Sequence, residues 1–239
     1  MMKYKVINFD VITSTNQYIK EQYKNLEPFT IINANKQTNG RGRVDRKWES
    51  IEGKNLTFSI YLKPKILPEK LPLLSLVIGA SIYNVLSKYI NCSIKWPNDI
   101  IVNDKKIAGI LVESIYSNKL EALVAGIGIN INQDQFSNDL KNKATSLFIE
   151  TNTEYNKNII LDEFIKEFDL LYNDFIIGNN QFVNICKEHN YLLNKEINYN
   201  GSIAKIVDIS EEGKLIIDIN GKQEQLFFGE ITLESIYDK

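Results

Sequence analysis

The sequence predicts an α+β fold, with helices and strands mixed in a large first part and strands alone in a small second part. Residues 71–90 carry apolar side chains at helical spacing. Three strand-like segments then follow in meander order between residues 99 and 130. After residue 190 only short strands separated by turn pairs remain. These three observations predict a mixed core followed by a small β unit.

The first 62 residues predict three strands and one helix. Residues 5–9 alternate between apolar and polar side chains, as a short strand does. Ser14 or Thr15 is expected to cap the N-terminus of a helix that continues to about Leu26. Residues 29–35 are predicted as a strand that enters a basic loop, and residues 55–62 as a strand that leaves it.

The middle of the chain predicts a buried helix, a meander and two further helices. The helix at 71–90 is apolar at positions 74, 77, 78, 82, 85, 86 and 89, which gives it a wide buried face. Strands are expected at 99–102, 106–113 and 122–130, with turns at Asn103-Asp104 and near Asn118. Helices are expected at about 159–177 and 180–188, with a break at Gly178.

The C-terminal region predicts a separate small β-barrel. Short strands at 197–199, 203–210, 214–219 and 224–228 are separated by pairs that suit tight hairpins, namely Asn200-Gly201, Glu212-Gly213 and Asn220-Gly221. We therefore expect one domain at residues 1–190 and a second at 191–239.

Composition argues against several classes of protein. The 239 residues are 44% hydrophobic and include 11 Phe and 12 Tyr, enough for a substantial core. A formal net charge of -2 argues against a general DNA-binding role, which requires a basic surface across the domain. Because His189 is the only histidine, a His-ligated zinc site and a Ser-His-Asp triad are not expected.

Cysteine usage and the N-terminus indicate a cytoplasmic protein. Cys92 and Cys186 lie in apolar, helix-like surroundings without a partner motif, so we expect buried thiols rather than a disulfide or a metal pair. Residues 1–10 contain no apolar signal region, and no run of about 18 apolar residues occurs. Neither secretion nor insertion into a membrane is expected.

The most informative stretch is the basic loop at residues 40–48, Gly-Arg-Gly-Arg-Val-Asp-Arg-Lys-Trp. Its alternating glycines allow the backbone to approach a ligand closely. Arginine forks bind phosphate or carboxylate through paired charge-assisted hydrogen bonds. The stretch predicts a mobile loop that closes over a polyanion, although such runs are also found on solvated faces and in nucleic-acid patches.

A polar string upstream of this loop and two residues next to its ends are further candidates. Thr13-Ser14-Thr15-Asn16 offers hydroxyls and an amide at a helix start, either as a plain cap or as partners for a polar ligand group. Gln37 could contact a heterocycle or a carboxylate, or belong to an ordinary surface loop. Trp48 is either a core residue or the wall of a pocket.

Lys95-Trp96-Pro97-Asn98-Asp99 is a second unusual string. Pro97 forbids a helix at this point, so Asn98 and Asp99 are placed at the mouth of a strand. There the Asp99 carboxylate could hold Mg²⁺ or position a lysine, or it could serve a structural turn.

Two strands supply the remaining candidate residues. Lys106 opens an otherwise apolar strand and is predicted to face an anion, with Gly109 marking a close approach. The glycines of residues 126–132 permit close packing, and Asn130 is polar at a strand end. The pattern is not a dinucleotide-binding fingerprint because no helix follows it.

Together and in this order, these strings closely resemble the biotin–protein ligases, also called biotin–[acetyl-CoA-carboxylase] ligases. The resemblance spans essentially the whole chain, from Ser14 to residues 229–231. It implies a mixed-sheet catalytic core related to class II aminoacyl-tRNA synthetases and a C-terminal SH3-like β-barrel. Some members begin with a helix-turn-helix repressor domain, for which we expect no room before the first motifs.

The resemblance implies a two-step reaction. ATP activates the biotin carboxylate as biotinyl-5'-AMP with release of pyrophosphate, and a carrier lysine then attacks the mixed anhydride. Catalysis is implied for Arg41, Arg43 and Lys106, and ATP binding for Arg43, Arg46, Asp99 and Asn130, with Asp99 also as a Mg²⁺ ligand. The residues implied for biotin are Ser14, Thr15, Asn16, Gln37, Arg41, Gly42, Arg43, Trp48, Lys106, Gly109 and Gly126.

The sequence departs from the family pattern at two positions, and the resemblance implies particular binding partners. Asp45 stands where the family often has glycine, and Glu234 where some members have arginine. A biotin carboxyl carrier protein and a homodimer formed through a sheet edge are implied, without DNA or membrane. The rivals are a lipoate–protein ligase or octanoyltransferase of the same fold, and a non-catalytic nucleic-acid or biotin sensor.

Overall fold

A seven-stranded mixed sheet forms the centre of the structure, a computed structural model that describes residues 2–43, 46–64 and 66–227. Its strands are β1 (Lys5–Ile12), β2 (Thr30–Gln37), β3 (Leu56–Leu62), β4 (Ser93–Lys95), β5 (Asp99–Val102), β6 (Lys105–Tyr116) and β7 (Leu120–Ile129). They lie in the order β1-β2-β3-β7-β6-β5-β4. The first pair is parallel and every other pair is antiparallel. The predicted meander of β5, β6 and β7 is therefore confirmed.

Five α-helices accompany the strands in the described residues. They are α1 (Thr15–Gln22), α2 (Leu73–Leu86), α3 (Leu147–Thr151), α4 (Lys157–Ile176) and α5 (Gln181–Glu188). Ser14 caps α1, because its extended backbone lets the side-chain oxygen accept from the Gln17 N–H. Gly178, with φ of +85°, separates α4 from α5 as predicted.

The sheet is covered on both faces. On one face α2, α4 and α5 pack over a large apolar core, and on the other α1 packs over a smaller cluster around Ile19 and Tyr61. Strand β3 lies in the middle and is buried along its whole length. Thr57 and Ser59 are buried hydroxyls within this strand, so their partners must be protein groups.

The apolar character of α2 is that of a core helix. By length and composition, Pro68–Leu86 would suffice to cross a membrane, with a mean hydropathy of 1.2, but 67% of it is buried inside the protein. Its side chains contribute Leu74, Val77, Ile78 and Ile82 to the main core. Packing against the sheet and against α4 explains why this segment is so apolar.

A four-stranded antiparallel sheet follows, in the order β11-β10-β9-β8. Its strands are β8 (Glu196–Tyr199), β9 (Ser202–Ile209), β10 (Leu215–Ile219) and β11 (Lys222–Leu226). At the Asn200-Gly201 and Asn220-Gly221 turns both residues have positive φ, which matches the predicted tight hairpins. The sheet is consistent with the SH3-like unit that the resemblance implies; residues 229–231 and Glu234 lie outside the described residues.

The sequence did not predict β4 or α3. Strand β4 has three residues and is held by β5 and by residues far along the chain, since the Ile94 N–H donates to His189 O at 2.8 Å and the Tyr191 N–H donates to Ile94 O at 2.9 Å. Such pairing leaves no local periodicity to detect. The domain boundary near residue 190 stays a prediction.

Both cysteines are free and buried, as expected. Burial raises the pKa of the Cys92 thiol to about 12 and that of Cys186 to about 12.

Candidate functional site

One cavity gathers most of the predicted site. It opens on the face of the sheet that carries α1, over paired stretches of β6 and β7. Its lining comprises Ser14, Thr15, Asn16, Gln37, Arg41, Gly42, Arg43, Trp48, Phe58, Asn98, Lys106, Gly109, Ile110, Leu111, Gly126, Ile127 and Gly128. All eleven residues predicted to contact biotin are in this lining. The structure thus brings Arg41, Arg43 and Lys106 together around one space.

Of the residues predicted to bind the nucleotide, only Arg43 is in the lining of the cavity. Asp99 is adjacent to it through Lys106. Arg46 is exposed, and its main-chain oxygen accepts from the Gly42 N–H. Asn130 is buried, and its amide nitrogen donates to Thr145 O at 2.9 Å. A contact between this amide nitrogen and a nucleotide would have to replace that hydrogen bond.

The floor of the cavity is a polar network in which Thr15, Asn16 and Ser59 are buried. The Thr15 N–H donates to Gln37 Oε1 at 2.8 Å, and the Thr15 hydroxyl lies 2.6 Å from the Ser59 hydroxyl. Asn16 accepts from Ser59 and donates to Glu113 Oε2 at 2.7 Å. Because every member is fixed by protein partners, the floor presents polar groups in a defined geometry.

The glycines of β6 and β7 create the space above this floor. Gly109 and Gly128 are directly paired, and Gly126 pairs with Leu111. A β-carbon at Gly126 would come within 2.3 Å of Asn16 Oδ1, and one at Gly128 within 2.3 Å of Trp48 Cε2. Any side chain at these two positions would displace the walls of the cavity.

The arginine loop folds back on itself like a small hairpin. The Gly42 N–H donates to Arg46 O at 2.7 Å, and the Trp48 N–H donates to Gly40 O at 3.0 Å. An isolated antiparallel bridge joins Arg41 to Lys47. This return directs Arg41 and Arg43 over the cavity. The predicted effect of Asp45 falls outside the described residues.

Asn98 is a site residue that the sequence only partly revealed. Its side-chain oxygen accepts from Arg43 Nη1 at 2.9 Å, and its amide nitrogen donates to Ile110 O at 3.0 Å. It therefore fixes the second arginine of the loop against the edge of the sheet. The Lys95–Asp99 string indicated that Asn98 belongs to the site. Its partner Arg43 lies 55 positions away in the chain, so this hydrogen bond could be identified only from the folded structure.

Lys106 and Asp99 form an ion pair at the other wall. Lys106 Nζ lies 2.6 Å from Asp99 Oδ1 and 5.7 Å from the centre of the Trp48 ring. A β-carbon at Gly109 would meet Lys106 Cε at 2.6 Å, so this glycine leaves room for the lysine side chain. The ammonium group is held beside the cavity by an anion on one side and an aromatic face on the other.

Lys95 adds a second cation close to Asp99. It is 6% exposed and pairs with Asp99 across β4 and β5. Burial lowers the pKa of Lys95 to about 8; Asp99 opposes this shift, while Lys106, Lys195 and Arg46 add to it. The Asp99 carboxylate therefore lies among cations, where an incoming anion would also be attracted.

Trp48 supplies an unsatisfied donor at the cavity. Within the described residues its buried Nε1 has no hydrogen-bond partner. Buried indole N–H groups normally find an acceptor, so this one is available to a bound group. The cavity itself is only about 50 Å³, whereas pockets for compounds of ordinary size start near ~300 Å³. The cavity is therefore smaller than a pocket that encloses a ligand of that size.

The chain is similar in sequence to a known protein family and to several of its members. Residues 8–130 match the model of the biotin/lipoate A/B protein ligase family. The bifunctional ligase/repressor BirA of Bacillus subtilis is 31% identical over 98% of this chain and 75% of its own length. The biotin–[acetyl-CoA-carboxylase] ligase of Paracoccus denitrificans is 33% identical over 49% of this chain and 51% of that protein.

Solved structures agree with the sequence relatives. The biotin protein ligase from Aquifex aeolicus, in complex with biotin and ATP, superposes with a TM-score of 0.86 at 31% identity, covering 95% of this chain and 97% of that one. The chain belongs to the biotin/lipoate A/B protein ligase family. Within that family, the Paracoccus relative and the Aquifex structure are biotin ligases by name.

Proposed function

We propose that this chain is an ATP-dependent biotin–protein ligase, which forms biotinyl-5'-AMP and transfers the biotinyl group to a lysine of a carrier protein. The observation that carries the proposal is the convergence of Arg41, Arg43 and Lys106 on one cavity with a polar floor. Family membership and the relatives' activity support the same conclusion.

The first step requires cations at this place. A biotin carboxylate oxygen attacks the α-phosphorus of ATP, a P–O bond forms, and pyrophosphate leaves. Two unit anions 4 Å apart repel by about 4 kcal/mol at an effective dielectric constant of about 20. Arg41, Arg43 and Lys106 offset this repulsion and the charge that grows in the transition state. Lys106 acts as a positioned cation and forms no covalent bond.

The second step requires exclusion of water. The carrier amine attacks the acyl carbon of the mixed anhydride, the amide bond forms, and AMP leaves with the electrons of the broken C–O bond. Water would compete for the same carbon, so the loop at residues 40–48 protects the intermediate when it covers the cavity. Trp48 forms part of that cover.

Magnesium is proposed to accompany ATP. The described residues contain no cluster of three His, Cys, Asp or Glu side chains that could hold a metal ion. A single carboxylate beside the cavity nevertheless fits Mg²⁺, which is usually bound by one or two carboxylates together with phosphates and water. Asp99 is that carboxylate, and it would share its oxygens between Mg²⁺ and the Lys106 ammonium group, which lies 2.6 Å from Oδ1. When bound, the ion would neutralise phosphate charge.

The floor of the cavity favours biotin over lipoate. Biotin ends in a cyclic urea with two N–H donors and a carbonyl, whereas lipoate ends in an apolar disulfide ring. A buried network built from Thr15, Gln37, Ser59 and Asn16 would leave polar groups unpaired against the disulfide ring. Sites built for hydrogen bonding reject analogues that lack the matching groups.

We further propose a biotin carboxyl carrier protein as the acceptor, a homodimer as the assembly and the cytoplasm as the compartment. The name of the Paracoccus relative supports an acetyl-CoA-carboxylase acceptor. The exposed strand β1, at one edge of the central sheet, offers a sheet edge for a dimer.

Pyrophosphate release tests the proposal. The chain is incubated with ATP, Mg²⁺ and either biotin or lipoate, and then with a biotin carboxyl carrier domain whose mass is measured. We expect release with biotin and the addition of one biotinyl group to the carrier. Release with lipoate alone would overturn the assignment.

A further inference from the structure

Glu113 lies behind the floor of the cavity and contacts two elements at once. It belongs to β6, and its Oε2 accepts from Asn16 Nδ2 at 2.7 Å. Its Oε1 is ion-paired with Lys20 on α1. Glu113 is not part of the cavity lining. Its carboxylate nevertheless determines how the floor of the cavity is arranged.

The first consequence concerns the amide of Asn16. An ionised carboxylate accepts hydrogen bonds and cannot donate them, so the Asn16 NH₂ group must face Glu113. Leu111 O, at 3.4 Å, lies on the same side and also accepts from this group. The Asn16 carbonyl oxygen is therefore turned the other way, towards Ser59 and the bare backbone of Gly126.

The second consequence concerns the two hydroxyl protons. Ser59 has one proton, and the Asn16 oxygen beside it can only accept, so that proton goes to Asn16. In the 2.6 Å contact between the hydroxyls, Thr15 must then be the donor. Gln37 Oε1 is the competing acceptor for this proton, at 3.1 Å from the Thr15 hydroxyl. It already accepts from the Thr15 N–H at 2.8 Å, and the Ser59 oxygen is nearer, so the Thr15 proton goes to Ser59.

With this arrangement of protons, the floor of the cavity offers hydrogen-bond acceptors to a ligand. Thr15 lines the cavity, and because its proton points inward to Ser59, lone pairs of its oxygen remain for a ligand. The Asn16 carbonyl, also in the lining, has a second lone pair. With the opposite proton order, these groups would offer the ligand a hydroxyl donor and an amide donor.

We propose that Glu113 is a positioning residue that sets this proton order and thereby selects ligand heads carrying N–H donors, such as a cyclic urea. The inference rests on the proposed function, since it assigns the urea end of biotin to this floor. Glu113 acts through Asn16 and Ser59 and does not touch the ligand.

A purely structural role would behave differently. The side chains of Lys20 and Glu113 are 26% and 23% exposed, and partly solvated ion pairs contribute little to stability. If Glu113 only linked α1 to β6, its replacement would shift Tm by a few degrees at most. It would not change which ligands are preferred.

The test uses ligand preference in the full chain. Biotin is compared with the two cyclic carbamate analogues in which one urea N–H is replaced by a ring oxygen, which exchanges a donor for an acceptor. Dissociation constants are measured by calorimetry for the wild type, Glu113→Met and Glu113→Gln. Glu113→Met keeps the length of the side chain but removes the acceptor; Gln can still accept from Asn16.

We expect the wild type to prefer biotin over at least one analogue by about 100-fold. In Glu113→Met the ratio of the dissociation constants of the analogue and biotin should fall by about tenfold or more. A tenfold change corresponds roughly to the contribution of one hydrogen bond. Glu113→Gln retains most of the preference, and KM for ATP is unchanged in both. Glu113→Ala, which cannot overpack, is the second variant and should behave like Glu113→Met.

Two controls isolate the cause. Glu121→Met removes another hydrogen-bonded carboxylate of the same sheet, the partner of Tyr23 and Ser117, and should leave the preference intact. Lys20→Met breaks the ion pair but keeps the acceptor, so the preference should also remain. A full loss in Lys20→Met, or an unchanged preference in Glu113→Met and Glu113→Ala, overturns the inference. Failure of the wild type to bind biotin would instead overturn the proposed function.

Discussion

The indole Nε1 of Trp96 donates a 3.0 Å hydrogen bond to the main-chain oxygen of Gly213, 117 residues further along the chain. Trp96 is 1% exposed and immediately precedes the segment that carries Asn98 and Asp99. The turn before β10 is thus attached directly to the segment that holds Arg43 and Lys106. The small sheet therefore supports one wall of the cavity.

Gly213→Ala is expected to destabilise the protein strongly. Gly213 has φ of +75°, and a β-carbon there would meet Leu73 Cδ2 at 2.4 Å and Leu76 Cδ1 at 2.8 Å. The left-handed backbone costs about 1–2 kcal/mol for alanine, and overpacking costs about 1–3 kcal/mol more. Denaturant unfolding should show a loss of about 2–5 kcal/mol.

Gly221→Ala is the matched control for that variant. Gly221 has φ of +83°, but nothing lies within 4 Å of its β-carbon position. Only the backbone cost of about 1–2 kcal/mol should appear. Equal losses of unfolding free energy in Gly213→Ala and Gly221→Ala would show that the close approach of Gly213 to α2 does not affect stability.

Gly128→Ala should weaken biotin binding with little change in the fold elsewhere. Its β-carbon would lie 2.3 Å from Trp48 Cε2, so the indole ring must move out of the cavity wall. We expect the dissociation constant for biotin to rise by about tenfold or more. Gly79→Ala, whose β-carbon meets only ordinary contacts at 3.7 Å or more, should bind biotin like the wild type. Unaltered affinity in Gly128→Ala would argue against a role for Trp48.

Lys106→Ala should lose adenylate formation. Removal of the ammonium group leaves the two reacting anions without one of their three neighbouring cations. The loss in kcat is expected to be about 10²- to 10³-fold, as for a preorganised transition-state donor. Pyrophosphate release measures it. Lys105→Ala removes the adjacent lysine, which does not line the cavity, and should retain activity; full activity in Lys106→Ala would refute its assigned role.

The stability of the protein should depend on pH through Lys95. Burial lowers the pKa of Lys95 from 10.5 to about 8, so in this window the unfolded chain binds more protons than the folded one. Stability linked to this group must then rise with pH between about 8 and 10.5. Below a pH of about 8, Lys95 is charged in the folded state, and the full cost of burying that charge lowers the stability of the protein.

Comparison with Lys95→Met isolates that contribution, because all other titrating groups are shared. From about pH 7.5 to 10, the unfolding free energy of the wild type should gain roughly 1–3 kcal/mol relative to the variant. Denaturant unfolding at several pH values measures this difference. Parallel profiles for the two proteins would contradict it.

Neither cysteine should react with a thiol reagent in the native state. Both thiols are buried, and burial raises the pKa of each to about 12, so almost no thiolate is present at pH 8. Titration with a chromogenic disulfide should detect two thiols in denaturant and none before unfolding. Rapid native labelling of either cysteine would contradict the packing around α2 and α5.

Local patterns predicted most of the elements. The period of α2, the alternation in β6 and β7 and the turn pairs after residue 190 each depend on neighbouring residues, and each was found close to its predicted place. The α1 cap at Ser14 was likewise predicted, because a cap and its helix are adjacent in the chain.

The candidate site was predicted residue by residue but not in its arrangement. Dense local strings indicated Ser14, Arg41, Lys106 and their neighbours, and the resemblance gave them roles that stay predictions. Phe58, Ile110, Leu111 and Ile127 line the same cavity, but no local pattern distinguished them. They are ordinary strand residues whose importance arises from the strands they pair with.

The sequence by itself determined which residue types were available: a run of cations between glycines, hydroxyls at a helix start and a lysine opening an apolar strand. Only the tertiary structure decided their partners, since the pairs Arg43–Asn98 and Asn16–Glu113 join residues 55 and 97 positions apart. Contacts at such distances depend on strand order and register. No periodicity within a short window contains that information.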